Sequence, residues 1–206
     1  MLYDFSLPRS FLNADVFFSF SLWEKAGMRA LQQSNPHPRP LPRAGEGTGE
    51  EIMHKGKTFE EFQPGERYAT GRRTIAEHDI LQFVTLVGLT EPLFLDMEYI
   101  RNESLYGERI APGSLTFAMA EGLTVQTGII HGTGMAFAGL DKMRLFGPVK
   151  VNDTIQVEIE VLDLKPIPAR GGGIVRYRQW VKNQRGETVM EYDVARLIRG
   201  ASQEKK

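Results

Sequence analysis

The chain has no cysteine among its 206 residues, and its formal net charge is only −1. The absence of cysteine excludes a disulfide framework, a thiol nucleophile and a cysteine-ligated metal or cluster, and it fits the reducing cytoplasm, where we expect the protein. A nearly neutral chain has no field that would attract nucleic acid or an anionic membrane surface, so we expect neither partner. The histidines and carboxylates show no metal-ligand spacing, and we expect no metal.

Long hydrophobic runs are also missing. The longest apolar run near the start, residues 17–23, is too short to span a bilayer. No basic region and no small-residue cleavage site frame it, so we expect neither a membrane span nor a signal peptide.

Residues 1–52 differ in composition from the rest of the chain. Residues 34–49 are rich in proline and then in glycine, a composition that cannot pack a core. We interpret 1–52 as a dispensable extension or as translated upstream DNA, since Met53 reads as a new domain start. The alternative is a docking arm that uses its aromatic residues. We expect one domain over residues 53–200 and a charged tail over 201–206.

Periodicity predicts the elements of this domain. Residues 66–73 read as a strand, and Thr74 and Glu77 have the spacing of a capping box ahead of a helix that ends at Gly88. A short helix is expected over 97–103. The next helix, 114–126, carries Glu121 as its only charge, so we expect it to be buried on most sides.

Four strands are expected after the buried helix, over residues 136–146, 155–162, 174–182 and 188–198. Apolar and polar residues alternate almost without interruption over 155–162. We predict an α+β domain in which these four strands form an antiparallel meander that wraps around the central helix.

Two segments show a family resemblance. The first runs Gly-Leu-Thr-Glu-Pro-Leu-Phe-Leu-Asp over residues 88–96, and the second runs Tyr-Gly-Glu-Arg-Ile-Ala-Pro-Gly-Ser-Leu over 106–115. Their order resembles the MaoC-like family of R-specific enoyl-CoA hydratases and dehydratases, whose signature is Gly-Asp-x-Asn-Pro-x-His-x-Asp. Leu89, Glu91 and Phe94 stand at the signature's first Asp, its Asn and its His. The resemblance covers about residues 58–199 and implies a single hot-dog domain.

The resemblance implies an acyl-CoA thioester as ligand, with coenzyme A belonging to the substrate rather than acting as a cofactor. In the family the Asp and His handle the water, and a backbone N–H at the start of the central helix stabilises the enolate oxygen. Leucine and phenylalanine cannot transfer protons, so Leu89 and Phe94 count against the usual mechanism and remain as substrate-binding candidates. Ala111-Pro-Gly-Ser-Leu115 matches the family's turn into the helix, which makes Gly113 the candidate donor and Pro112 and Ser114 neighbours of the substrate.

Several residues are candidates for the missing water handling, each with a plain structural alternative. Glu91 is either a water-holding carboxylate or a solvated loop residue, and Asp96 is either catalytic or a helix cap. His131 faces either a substrate or only its own glycine-rich turn. Glu121 is a carboxylate on the central helix, as is the base of hot-dog thioesterases; alternatively, it lies at the solvent-exposed edge of the helix or in a dimer interface. Arg170, beside a glycine run, is a candidate contact for a phosphate of coenzyme A.

Three functions follow from these residues. The first is an atypical MaoC-like hydratase or dehydratase in which Gly113 is joined by Glu91, Asp96 or His131. The second is an acyl-CoA thioesterase that uses Glu121, and the third is a non-catalytic acyl-CoA-binding subunit of a hot-dog heteromer. Because one such sheet leaves an edge strand open, we expect a homodimer, with the heteromer as the alternative.

Overall fold

The computed structural model describes residues 55–201. The extension 1–52 and all but the first residue of the tail lie outside these residues, so the domain boundaries stay predictions. The described chain forms four helices and six strands: β1 (Arg67–Ala69), β2 (Arg73–Thr74), α1 (Glu77–Val87), α2 (Pro92–Leu95), α3 (Met97–Asn102), α4 (Gly113–Gln126), β3 (Gly134–Leu145), β4 (Thr154–Ile167), β5 (Gly172–Lys182) and β6 (Thr188–Arg199). No helix in 55–201 is long and apolar enough to cross a membrane.

The strands form one antiparallel sheet in the order β1-β4-β5-β6-β3, and β2 also pairs with β4. The prediction of a four-stranded meander is wrong in one respect. Strands β4, β5 and β6 are consecutive neighbours, but β3 pairs with β6 at the far side of the sheet instead of with β4. Alternation of apolar and polar residues identifies a strand, but it does not specify which strand lies beside it.

The central helix lies on one face of this sheet. Alternate residues of β4 and β5 turn into the core, and α4 buries Leu115, Ala120 and Leu123. Side chains of α4 bond to the same face, since the Thr124 hydroxyl donates to Gln179 Oε1 on β5 at 3.0 Å. A single antiparallel sheet around one buried helix is the hot-dog fold that the sequence predicted.

The segment before the first long helix differs in detail from its prediction. The predicted strand 66–73 is split into β1 and β2, and α1 begins after Ala76 rather than Thr74. Thr74 belongs to β2, where its hydroxyl lies 2.8 Å from that of Thr154. Asp79 takes over the cap by accepting the Ala76 N–H at 2.9 Å. Gly88 ends α1 in the left-handed region, at φ 75°, as its position predicted.

Candidate active site

A cavity of about 370 Å³ opens at the N-terminus of α4. Its walls are formed by α2, the loop after α3, the first turn of α4, the end of β3 with the loop that follows it, and the start of β6. Nearly all of these residues are apolar. The lining consists of Phe94, Tyr106, Ile110, Ala111, Pro112, Gly113, Thr116, Leu145, Phe146, Gly147, Pro148, Val149, Val189 and Met190.

Gly113 is the first residue of α4, directly after Pro112. The first N–H groups of a helix have no acceptor within the helix, and they stabilise negative charge that lies close to that end of the helix. A Cβ at Gly113 would lie 2.6 Å from Leu145 Cδ2, so only glycine fits without displacing that side chain. Ser114, the next residue, is exposed and does not line the cavity. The structure therefore places a backbone donor at the wall of an apolar cavity.

The loop between α1 and α4 is held in place by residues of the signature. Pro92 is the first residue of α2, where its fixed φ suits a helix start. Asp96 caps α3, since its carboxylate accepts the N–H groups of Glu98 and Tyr99 at 2.9 and 3.1 Å. Capping is the structural alternative named for Asp96, whose side chain is exposed and outside the cavity lining.

Arg109 ties this loop to the domain, a role that the sequence did not reveal. Its side chain is 7% exposed, its Nε donates to the Phe94 carbonyl at 2.9 Å, and its guanidinium pairs with Glu77. A buried arginine with two fixed partners holds the backbone of Phe94 against the cavity. Only the fold brings these residues together, because Arg109 and Glu77 are 32 positions apart.

The two positions that the resemblance assigns to the Asp and the His carry apolar side chains. Phe94 lines the cavity, while Leu89 is half-buried, packs against the hydrophobic core and is not part of the lining. Glu91 precedes α2 as an exposed residue, and its carbonyl accepts the Phe94 N–H at 3.0 Å. Glu91 is thus a surface glutamate of the loop, and its side chain does not enter the cavity lining.

Glu121, a residue of α4, faces the sheet instead of the solvent, and its side chain is only 14% exposed. Its carboxylate forms an ion pair with Arg196 and accepts a hydrogen bond from the Tyr192 hydroxyl at 3.0 Å. Burial raises the pKa of Glu121, and the charge of Arg196 and the Tyr192 bond oppose that rise. Glu121 is absent from the lining of the Gly113 cavity. Periodicity placed it on the helix, but its partners on β6 became visible only in the fold.

His131 and Arg170 also lie away from Gly113. His131 is exposed in the turn after α4, at the opposite end of a helix about 20 Å long. It lines a separate cavity of about 320 Å³, together with Phe137 and Arg196. Arg170 is exposed in the short 3-10 turn between β4 and β5. Of the candidate residues, the cavity brings together Phe94, Pro112 and Gly113, and the catalytic roles of the others stay predictions.

Tyr106 is a cavity residue that sequence reasoning did not select as a site residue. Among the described residues that line the cavity, it carries the only ionisable side chain. It stands in the second segment that resembles the family, but a tyrosine in a loop has no spacing that predicts where its hydroxyl lies.

The family is shown by comparison with known proteins. Residues 60–182 match the model of the MaoC-like domain. Protein MaoC of Klebsiella aerogenes is 39% identical over 104 residues, which are 50% of this chain and 30% of that protein. The match therefore spans less than a third of that relative.

Two solved structures match most of their own length. A monoamine oxidase regulatory protein from Archaeoglobus fulgidus is 33% identical, with a TM-score of 0.66, over 71% of this chain and 97% of the other. The R-hydratase PhaJ1 from Pseudomonas aeruginosa, in its unliganded form, is 28% identical with a TM-score of 0.58, over 69% and 86% of the two chains. Together with the matched residues 60–182, these similarities show that the chain belongs to the MaoC-like dehydratase domain family.

Proposed function

We propose that this domain is an atypical acyl-CoA hydratase or dehydratase that holds an enoyl thioester in the cavity at the start of α4. The observation that carries the proposal is Gly113, whose N–H stands at the head of a helix and at the wall of an apolar cavity. The similarity to PhaJ1, an R-hydratase, supports the reaction class. The reaction needs no cofactor beyond the coenzyme A of its substrate.

The cavity supplies half of what hydration requires. The thioester carbonyl oxygen gains negative charge as water adds, and a helix N-terminus stabilises charge at that point. Water addition also requires a group that gives and takes protons. The positions that the resemblance assigns to that work are Leu89 and Phe94, and neither side chain carries a proton to transfer. We therefore propose that this protein hydrates enoyl thioesters more slowly than members of the family that have the Asp and the His.

A non-catalytic acyl-CoA-binding subunit is the second candidate. It is favoured by one observation: no carboxylate or histidine of residues 55–201 lines the cavity. The thioesterase hypothesis has less support, because Glu121 is engaged by Arg196 and Tyr192 outside the cavity. A carboxylate held in that ion pair is not part of the wall that a thioester at Gly113 would contact.

We also propose that the domain works as a homodimer. Strand β3 is an edge of the sheet and exposes several large apolar residues, and α4 exposes Val125 at the cavity that Arg196 lines. An open apolar edge strand favours pairing with a second chain. These exposed residues are Val125, Met135, Phe137, Leu140, Leu145 and Phe146.

Two measurements on the purified protein test the proposal. Butyryl-CoA, which cannot be hydrated, reports binding by calorimetry, and crotonyl-CoA reports hydration by loss of the enoyl-thioester absorbance. We expect binding together with turnover that is slow for this family. Binding without turnover supports the second candidate, whereas no binding of either ester contradicts both. Release of free thiol, which this cysteine-free chain does not consume, would instead indicate a thioesterase.

A further inference from the structure

Two side chains with hydroxyl groups line the Gly113 cavity, Tyr106 and Thr116. Thr116 is buried, and its hydroxyl already donates to the Pro112 carbonyl at 3.4 Å. The Tyr106 hydroxyl makes no hydrogen bond to another residue of the described chain, and the residue is 36% exposed. Within that part of the chain, Tyr106 is thus the one cavity side chain with an uncommitted proton.

The loop that carries Tyr106 is organised around Ser104. The Ser104 hydroxyl donates to the Ile100 carbonyl at 2.6 Å and accepts the N–H groups of Tyr106 and Gly107 at 3.2 and 3.3 Å. Gly107 adopts φ 67°, which favours glycine at the turn. These bonds fix the backbone of Tyr106 independently of its hydroxyl, so the hydroxyl is dispensable for the fold.

We infer that Tyr106 is the catalytic residue of the slow hydration, an inference that rests on the proposed function. It is placed in the same cavity as Gly113, on a loop with access to water, whereas Glu91, Asp96 and His131 are not part of that cavity. A proton-transfer group must reach the reacting atoms before any other property matters. Among the described residues that could transfer a proton, Tyr106 is the one whose side chain ionises and that lines this cavity.

The chemistry balances with Tyr106 unchanged at the end. The oxygen of a water molecule bonds to C3 of the enoyl thioester, and the electron pair of the C2–C3 double bond moves to the carbonyl oxygen beside the Gly113 N–H. As the enolate collapses, the Tyr106 hydroxyl gives its proton to C2 and recovers one from the attacking water. One hydroxyl then performs both transfers that the resemblance assigns to two residues, which accounts for slow turnover.

Tyr106→Phe tests this role, with Tyr99→Phe as the matched control. Tyr99 lies on α3, is half-buried and does not line the cavity. We expect Tyr106→Phe to lower kcat for crotonyl-CoA hydration about 100-fold or more, the effect of losing a proton-transfer group. Its Kd for butyryl-CoA and its Tm should stay at the wild-type values, and Tyr99→Phe should retain the wild-type kcat.

The outcomes separate this inference from the proposed function. Hydration by Tyr106→Phe at the wild-type rate overturns the role of Tyr106 and leaves the hydratase in place. A wild-type protein that binds butyryl-CoA but never hydrates crotonyl-CoA overturns it as well, while the thioester site remains. If Tyr106→Phe weakens butyryl-CoA binding by the same factor as it lowers kcat, or lowers the Tm by many degrees, Tyr106 shapes the cavity instead of transferring protons.

Discussion

Phe94 stands at the position that the resemblance assigns to a histidine, in a loop that its neighbours hold in place. The neighbouring signature residues Pro92 and Asp96 begin α2 and cap α3, and Arg109 holds the Phe94 carbonyl. The backbone at Phe94 is therefore held by contacts that do not involve its side chain. Under the proposed function, the loop lacks the two proton-transferring side chains that the resemblance assigns to positions 89 and 94.

Introducing the Asp and His that the resemblance assigns to positions 89 and 94 should raise the rate of hydration. We expect Leu89→Asp with Phe94→His to hydrate crotonyl-CoA about 10²–10⁴-fold faster than wild type, because the new pair supplies proton transfer beside the cavity. The control, Leu89→Asn with Phe94→His, has the same size and polarity but lacks the carboxylate. Equal rates for the two double variants would mean that the pair does not act at this site. The Asp variant should also be less stable, because Leu89 is half-buried.

Glu121 and Arg196 form the buried ion pair of the helix–sheet interface, with side chains 14% and 10% exposed. Taking charges out of water opposes their attraction, and burial is the largest influence on the pKa of Glu121, which is raised from 4.5. A raised pKa in the folded state means that the folded protein holds this proton more tightly than the unfolded chain. The stability that the protonated Glu121 contributes is therefore fully present below about pH 4.5, and it is lost as the pH rises through the pKa of the folded protein.

Glu121→Gln should remove that pH dependence. We expect the free energy of unfolding of wild type, relative to this variant, to fall as the pH is raised from 4.5. Urea unfolding at several pH values measures the difference. Glu91→Gln removes the same charge from an exposed site and serves as the control. A difference that rises with pH would show that the attraction of Arg196 outweighs burial.

At the scale of the element, α4 has two glycines in unlike surroundings. Gly113 meets Leu145 at its N-terminus, whereas Gly122, in the middle of the helix, has no atom within 4 Å of where its Cβ would lie. Glycine is therefore needed at position 113 because a side chain has no room there. At position 122 a side chain would fit, and glycine only lowers the stability of the helix.

Alanine substitutions at the two glycines distinguish lack of space at position 113 from helix propensity at position 122. Gly122→Ala should raise the free energy of unfolding by about 0.5–1 kcal/mol, because alanine favours the helix, and leave butyryl-CoA binding unchanged. Gly113→Ala should weaken that binding, because its methyl group displaces Leu145 at the cavity wall. Unfolding in urea and calorimetric titration provide the two readouts. Unchanged binding by Gly113→Ala would place the ligand elsewhere.

At the scale of the whole molecule, β3 is an edge strand of the sheet and exposes large apolar residues. Leu140 on β3 is 38% exposed, and Phe137 on the same strand is 49% exposed. We expect a homodimer in sedimentation experiments and a shift to monomer in Leu140→Lys, since a charge on an edge strand opposes pairing. Leu105→Lys is the control, because Leu105 is 96% exposed and lies in the loop after α3 rather than on the edge strand. A monomeric wild type, or a Leu140→Lys dimer of unchanged affinity, contradicts this interface.

Much of the fold was readable in the chain itself. Helical spacing, the stop at Gly88 and the two-residue alternation of β4 are local patterns, and they identified the long helices and strands together with the buried character of α4. The family resemblance added Gly113, Pro112 and Phe94, which the fold places in one cavity. Local patterns succeed here because backbone propensity and the burial of one face act over a few residues.

Contacts between distant residues were decided only by folding. Three kinds of contact depend on segments brought together by packing. They are the pairing of β3 with β6, the contact of Thr74 with Thr154, and the partners of Glu121 and Arg109. The same holds for Tyr106, whose loop position carried no signal until the cavity had walls from β3 and β6. Side-chain chemistry at a site depends on burial and on neighbours in space, and neither has a period along the chain.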